Sequence, residues 1–236
     1  MFEGIIMEIK TFYCNPLREC SYVVWDETKE CVIIDPGFYG DRERQRLYHF
    51  VEERQLKPVK VLLTHGHFDH VLSLDEVARQ YQIPVLMHPA DREQIVRSQE
   101  WCQSLGLVCT PFGGEFTDIA DGDVIRFGNS SLEVIATPGH TQGGVCFYSQ
   151  ADSVLFSGDT LFAGSIGRTD LGGGDYDVLM QSIQQKLLTL PGDTDVIPGH
   201  GQPTSIAQEG MHNPFLQPFN EPEGDFPEEG IVIDGI

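Results

Sequence analysis

The chain has 236 residues, of which 40% are hydrophobic and 22% charged, with 15 Lys+Arg against 36 Asp+Glu for a net charge of -21. That length can bury one sizeable core, read here as one domain over residues 1–212 followed by an acidic tail at 213–236. A charge so negative repels phosphate backbones and anionic lipids at long range, which argues against nucleic acid or a membrane surface as partner. No apolar run approaches the roughly 18 residues of a membrane span.

The N-terminal MFEGIIMEIK has neither a basic leader nor an apolar h-region, so a cytoplasmic location is expected. None of the six cysteines (Cys14, Cys20, Cys31, Cys102, Cys109, Cys146) falls in a CxxC or zinc-ribbon spacing, and buried free thiols are the reading. Along the chain, CVIID (31–35) reads as a buried strand, 41–56 as a helix and VKVLLT (59–64) as a second strand. Segments 73–82 and 89–104 have helical composition. Residues 106–131 carry hairpin turn chemistry at Gly113-Gly114, Asp121-Gly122-Asp123 and Gly128-Asn129. Strands follow at LEVIAT (132–137) and SVLFSGD (153–159), then a helix at 175–190 and a strand at TDVIP (194–198). Alternating strands and helices predict an α/β layered fold with mixed sheets.

The informative regularity is what the strands carry at their C-terminal ends. Asp35, the run His65-Gly66-His67-Phe68-Asp69-His70, His140, Asp159 and His200 each follow an apolar strand within a few residues. Ligand sites gather at that edge of an open α/β sheet. Imidazole and carboxylate side chains together suit zinc, and also iron or manganese. His140, Asp159 and His200 each follow a glycine, which permits close backbone approach.

In this order, the runs Thr64-His65-Gly66-His67-Phe68-Asp69-His70, TPGHT (137–141), GDTLF (158–162) and PGHG (198–201) resemble the metallo-β-lactamase superfamily, in its short glyoxalase II-like branch. The resemblance extends to about Pro214, with Asn213-Pro214-Phe215-Leu216 similar to the closing segment of the short enzymes. It implies a four-layer αββα sandwich with two mixed sheets and two divalent metal ions, zinc first and iron or manganese as alternatives. It places His65, His67 and His140 on one metal, Asp69, His70 and His200 on the other, and Asp159 between them. Asp35 is then either a carboxylate behind the ligands or a turn-initiating Asp before Pro36-Gly37. Only 36 residues follow His200, so the resemblance does not extend to the C-terminal helical domain with which full-length glyoxalase II enzymes bind glutathione.

The implied chemistry is hydrolysis of an acyl-thioester of the S-D-lactoylglutathione type. A water between two cations ionises near neutral pH, and the metal-held hydroxide, with Asp69 and Asp159 as the catalytic carboxylates, attacks the acyl carbon. Arg168, in the GRTD run, could pair with a substrate carboxylate or form a structural salt bridge. Gly172-Gly173-Gly174 gives a mobile loop beside it. The same residues leave a rival open: persulfide dioxygenases share the GRTD run and use one iron, here on His65, His140 and Asp159. A lactonase, a β-lactamase and a metal-binding module without turnover are further alternatives. The partner expected is a small-molecule substrate.

Overall fold

Near-continuous runs of β-branched and aromatic residues form the central strands because both faces of each sheet are covered. The computed structural model describes residues 7–217; of the acidic tail expected at 213–236, residues 218–236 lie outside them, while Asn213 is buried and hydrogen-bonded to Ser165 O and Glu209 as part of the fold. The first sheet comprises β1 (Glu8–Cys14), β2 (Glu19–Trp25), β3 (Glu30–Ile34), β4 (Lys57–Leu62), β5 (Val85–Met87) and β6 (Phe116–Asp118), in that order. Pairing is antiparallel from β1 to β3 and parallel from β3 to β6. The second sheet uses β7 (Val124–Phe127), β8 (Ser130–Ala136), β9 (Val145–Ser149) and β10 (Val154–Gly158). After a short hairpin, β11 (Leu161–Phe162) and β12 (Ser165–Ile166), the chain adds β13 (Asp195–Pro198) and β14 (Thr204–Ser205), giving the order β14-β13-β10-β9-β8-β7. Only β10 and β13 run parallel there, so both sheets are mixed.

The helices are α1 (Gly40–Glu53), α2 (Phe68–Val71), α3 (Leu74–Tyr81), α4 (Arg92–Ser104), α5 (Tyr176–Ser182) and α6 (Ile206–His212). Strand parity sorts side chains into three apolar layers. Val23 and Ile33 face outward from the first sheet onto Leu47 and Val51 of α1 and Leu74 and Val77 of α3. Their neighbours Val24, Val32 and Ile34 point the other way, onto Phe147, Val134 and Phe156 of the second sheet. Leu155 and Val196 then pack against Leu179 of α5 and Ile206 of α6. Three apolar layers between helix, sheet, sheet and helix make the αββα sandwich.

Several local readings shift. The helix expected at 41–56 ends at Glu53, because Lys57 N–H donates to Lys29 O and the chain has already entered β4. The 175–190 segment continues past α5 only as a π turn at Ile183–Leu187. Within 106–131 one hairpin forms, β7–β8 around Gly128-Asn129, whereas Gly113-Gly114 leads into β6, which runs parallel to β5. The β1–β2 hairpin and β9 escaped the sequence reading. Among the described residues no helix is long and apolar enough to cross a membrane. All six cysteines are free; burial pushes the Cys31 thiol up to about 12 and Cys20 and Cys146 up to about 11, so these thiols are unreactive at neutral pH.

Phe147 is fully buried between the two sheets. Phe147→Ala is expected to lower unfolding free energy by about 3–5 kcal/mol, read as a fall in the urea midpoint at unchanged slope.

Candidate metal centre

Five strand ends deliver the expected residues to one place. Asp35 follows β3, His65 to His70 follow β4, His140 follows β8, Asp159 follows β10 and His200 follows β13. Asp35 is the buried anchor, in the left-handed region at φ 49° that Asp tolerates better than most side chains. Its Oδ1 accepts from Thr64 N at 2.7 Å and its Oδ2 from Thr64 Oγ1 at 2.5 Å and His70 Nδ1 at 3.0 Å. Thr64 Oγ1, its proton given to Asp35, accepts from His65 Nδ1 at 3.0 Å. One carboxylate therefore fixes two imidazoles, and both turn Nε2 inward. On the other side, His140 Nδ1 donates to the Arg168 carbonyl at 2.7 Å, which frees its Nε2 in the same way. Such partners set the tautomer and aim of a ligating histidine.

Two groups result. Ligand atoms of His65, His67 and His140 lie within 4.8 Å of one another, and those of Asp69, His70 and His200 do likewise. Asp159 sits between the groups, with Oδ1 3.4 Å from His70 Nε2 and Oδ2 3.6 Å from His140 Nε2 and 3.8 Å from His200 Nε2. The Nε2 atoms of His65, His67, His70 and His140, and Oδ1 of Asp159, are buried without a hydrogen-bond partner. Five converging orphans would cost free energy in an ordinary core. Neutral imidazoles with carboxylates are the donor set that borderline divalent metals take, so the residues fit a metal pair.

Electrostatics agrees. Burial, then the charge of His70, holds His65 well below the usual histidine range; burial and His140 bring His67 down to about 3. Both stay neutral at pH 7, with lone pairs free. Burial opposes charge on His70 too, but the carboxylates of Asp159 and Asp69 outweigh it and raise its pKa. Asp159 is held well below the usual carboxylate range, the charge of His70 overcoming burial. The site is built for positive charge beside ionised carboxylates.

Glycine matters here for close approach. A side chain on Gly199 would collide with Asp159 Oδ1 and His70, and one on Gly139, at φ 132°, would strike the backbone of Leu179. Arg168, expected against a substrate, lines the cleft above the centre, but its guanidinium is engaged at 2.7 Å by both oxygens of Asp170. Its certain contribution is the carbonyl that aims His140. The cleft has a volume of about 690 Å³, with His67, Asp69, His140, Asp159 and His200 in its lining.

Asp91 went unnoticed in the sequence. Buried just before α4, it accepts from Gly66 N at 2.8 Å and Thr141 Oγ1 at 2.8 Å through Oδ2, and from Gly143 N at 2.6 Å through Oδ1. It thus ties the His65–His67 loop to the His140 loop. In sequence it reads only as the start of a helix. Burial raises its pKa despite these donors. Asp91→Ala leaves three buried donors unpaired and is expected to cost about 3 kcal/mol in urea unfolding and to lower metal bound per chain by elemental analysis. Arg92→Ala, one residue on and exposed, is expected within about 0.5 kcal/mol of the parent.

Residues 15–200 match the metallo-beta-lactamase superfamily. The probable metallo-hydrolase YqgX of Bacillus subtilis is 39% identical over 208 residues, covering 87% of this chain and 96% of that protein. The hydroxyacylglutathione hydrolase GloC of Haemophilus influenzae is 37% identical over 201 residues, 84% of this chain and 92% of that one. Among solved structures, the BLEG-1 B3 metallo-beta-lactamase superposes with a TM-score of 0.82 at 38% identity, over 89% of this chain and 100% of that one. TTHA1623 in a di-iron-bound form gives 0.79 at 36%, over 88% and 100%. ETHE1 from Myxococcus xanthus gives 0.72 at 28%, over 88% and 83%. With a family match spanning all seven convergent side chains and relatives aligned over nearly their full length, the chain belongs to the metallo-beta-lactamase superfamily.

Proposed function

We propose that the protein hydrolyses an acyl-thioester of the hydroxyacylglutathione type at a two-metal centre, with zinc as the metal. The observation that carries this reading is the completeness of both donor groups around Asp159. The name of the GloC relative supports the thioester, and the di-iron form of TTHA1623 supports a pair of metals while making iron the alternative ion. His65, His67 and His140 would hold one ion, Asp69, His70 and His200 the second, and Asp159 both. When bound, the ions supply Lewis acidity toward the acyl oxygen and a lowered pKa for attacking water.

The chain's own residues do the remaining work. Asp35 and the Arg168 carbonyl hold His70 and His140 with Nε2 inward, so no reorientation is needed when substrate arrives. Asp69 and Asp159 stay ionised, which would let either accept a proton from a water held in the centre. Asp69 Oδ2 is held 3.1 Å from His200 Nε2, which fixes its direction. A thioester matches such a site because its leaving thiolate needs little protonation. A reducing, cytoplasmic setting belongs to the same reading and is supported by the six unpaired thiols.

A second reading, a mono-iron dioxygenase, draws support from the likeness to ETHE1. It would use His65, His140 and Asp159 and give Asp69, His70 and His200 no ligating task. Elemental analysis with parallel assays separates them. Two metals per chain with turnover of S-D-lactoylglutathione is the expected result; one iron with oxygen uptake on glutathione persulfide would replace it. Asp69→Ala and His70→Ala are expected to empty the second group, leave the first partly occupied, and lower thioester kcat/KM at least about a hundredfold. Equal loss of both metals on these substitutions would contradict two separable groups.

A further inference from the structure

The cleft over the centre is walled by apolar side chains that nothing in the hydrolytic chemistry requires. Leu17, in the β1–β2 turn, is 52% exposed; Trp101 and Leu105, at the end of α4, are 46% and 55% exposed. Phe68 stacks on Trp101 with ring centroids 6.4 Å apart and planes 21° from parallel. Phe162 and Ile166 face the cleft from the β11–β12 hairpin. Large apolar groups left in water around a concave site mark a place for an apolar ligand.

The charges of the lining point the same way. Its two cations are Arg97, which pairs with Glu93 at 2.8 Å, and Arg168, held by Asp170. Glutathione carries two carboxylates and an ammonium, and to bind it tightly these guanidinium groups would have to leave their present partners. An aliphatic or aromatic arm needs no such exchange.

Resting on the thioester reading above, we infer that, among the thioesters this centre turns over, the preferred one carries an extended apolar arm lying along Leu17, Phe68, Trp101 and Leu105 and is taken ahead of the small polar hydroxyacyl-glutathione. Each methylene buried is worth about a fourfold gain in affinity, so even partial burial of a six-carbon chain is measurable.

Two measurements on the metal-loaded protein test this. In the first, hexanoyl and acetyl thioesters of N-acetylcysteamine are compared with S-D-lactoylglutathione. The hexanoyl ester is expected to exceed the acetyl ester at least about tenfold in kcat/KM and to exceed lactoylglutathione as well. In the second, tryptophan fluorescence follows binding of the non-hydrolysable S-hexyl and S-methyl thioethers of N-acetylcysteamine; the S-hexyl compound is expected to bind at least about tenfold tighter. Trp25 is buried, so the signal belongs to Trp101. Trp101→Ala, read by calorimetry, and Leu17→Asn are each expected to bring the two thioethers toward equal affinity. Equal affinities in the parent protein, or a hexanoyl-to-acetyl ratio near one, would overturn the inference while leaving thioester hydrolysis standing. Tight S-hexyl binding without turnover of any thioester would overturn thioester hydrolysis, and with it the substrate assignment, while leaving the apolar wall as a binding site.

Discussion

The Asp35 carboxylate accepts hydrogen bonds from Thr64 N, Thr64 Oγ1 and His70 Nδ1 inside the protein, and the candidate centre hangs on that arrangement. An imidazole taken out of water has two nitrogens to satisfy, and a ligand needs one of them left bare. The economical solution is a fixed acceptor behind the ring. Asp35 provides it directly for His70 and through the Thr64 hydroxyl for His65, and the Arg168 carbonyl provides it for His140. The bare nitrogens then converge because their backs are held.

That arrangement is possible only where two sheets meet. Asp35 and the His65–His70 run come from the first sheet, and His140, Asp159 and His200 from the second, so each donor group spans both sheets and its width is set by the apolar layer between them. Three further bonds stitch the edge shut: Cys20 N donates to Gly199 O at 2.7 Å, and Asn15 Nδ2 donates to the carbonyls of Gly37 and Asp69 at 2.9 Å each. The β1–β2 turn that presents Leu17 to the cleft is thereby tied to the loop bearing Asp69.

Much of this was legible in the sequence for a definite reason. The seven convergent side chains stand in short runs directly after apolar strands, and strand ends are where a sheet can aim side chains at one point. Asp35 was legible only as a choice between a turn residue and a carboxylate behind the ligands, because the three hydrogen bonds it accepts from Thr64 and His70 come from residues 29 and 35 positions away. Asp91 was hidden because its partners lie 25, 50 and 52 residues away, in loops whose proximity only the tertiary fold creates. Trp101 and Leu105 look like the inward face of an amphipathic helix; that they face a cleft depends on where α4 docks. The β1–β2 hairpin was obscured because β2 is buried on both faces and even includes Glu19, whose carboxyl is pushed well above the usual range by burial.

Helix α4 carries two duties on one rigid body. It begins beside Asp91, which clasps both histidine loops, and ends with the aromatic and aliphatic side chains of the cleft wall. Shifting the helix to widen the wall would drag the clasp with it, so the cleft wall and the two histidine loops are mechanically geared together along α4. The turn bearing Leu17 is tied to the centre too, through Asn15 and the Asp69 carbonyl, and the β11–β12 hairpin runs on to the Arg168 carbonyl that aims His140. Divergence toward new substrates has freer ground at single apolar side chains such as Leu17, whose exchange leaves the Asn15 and Arg168 bonds in place.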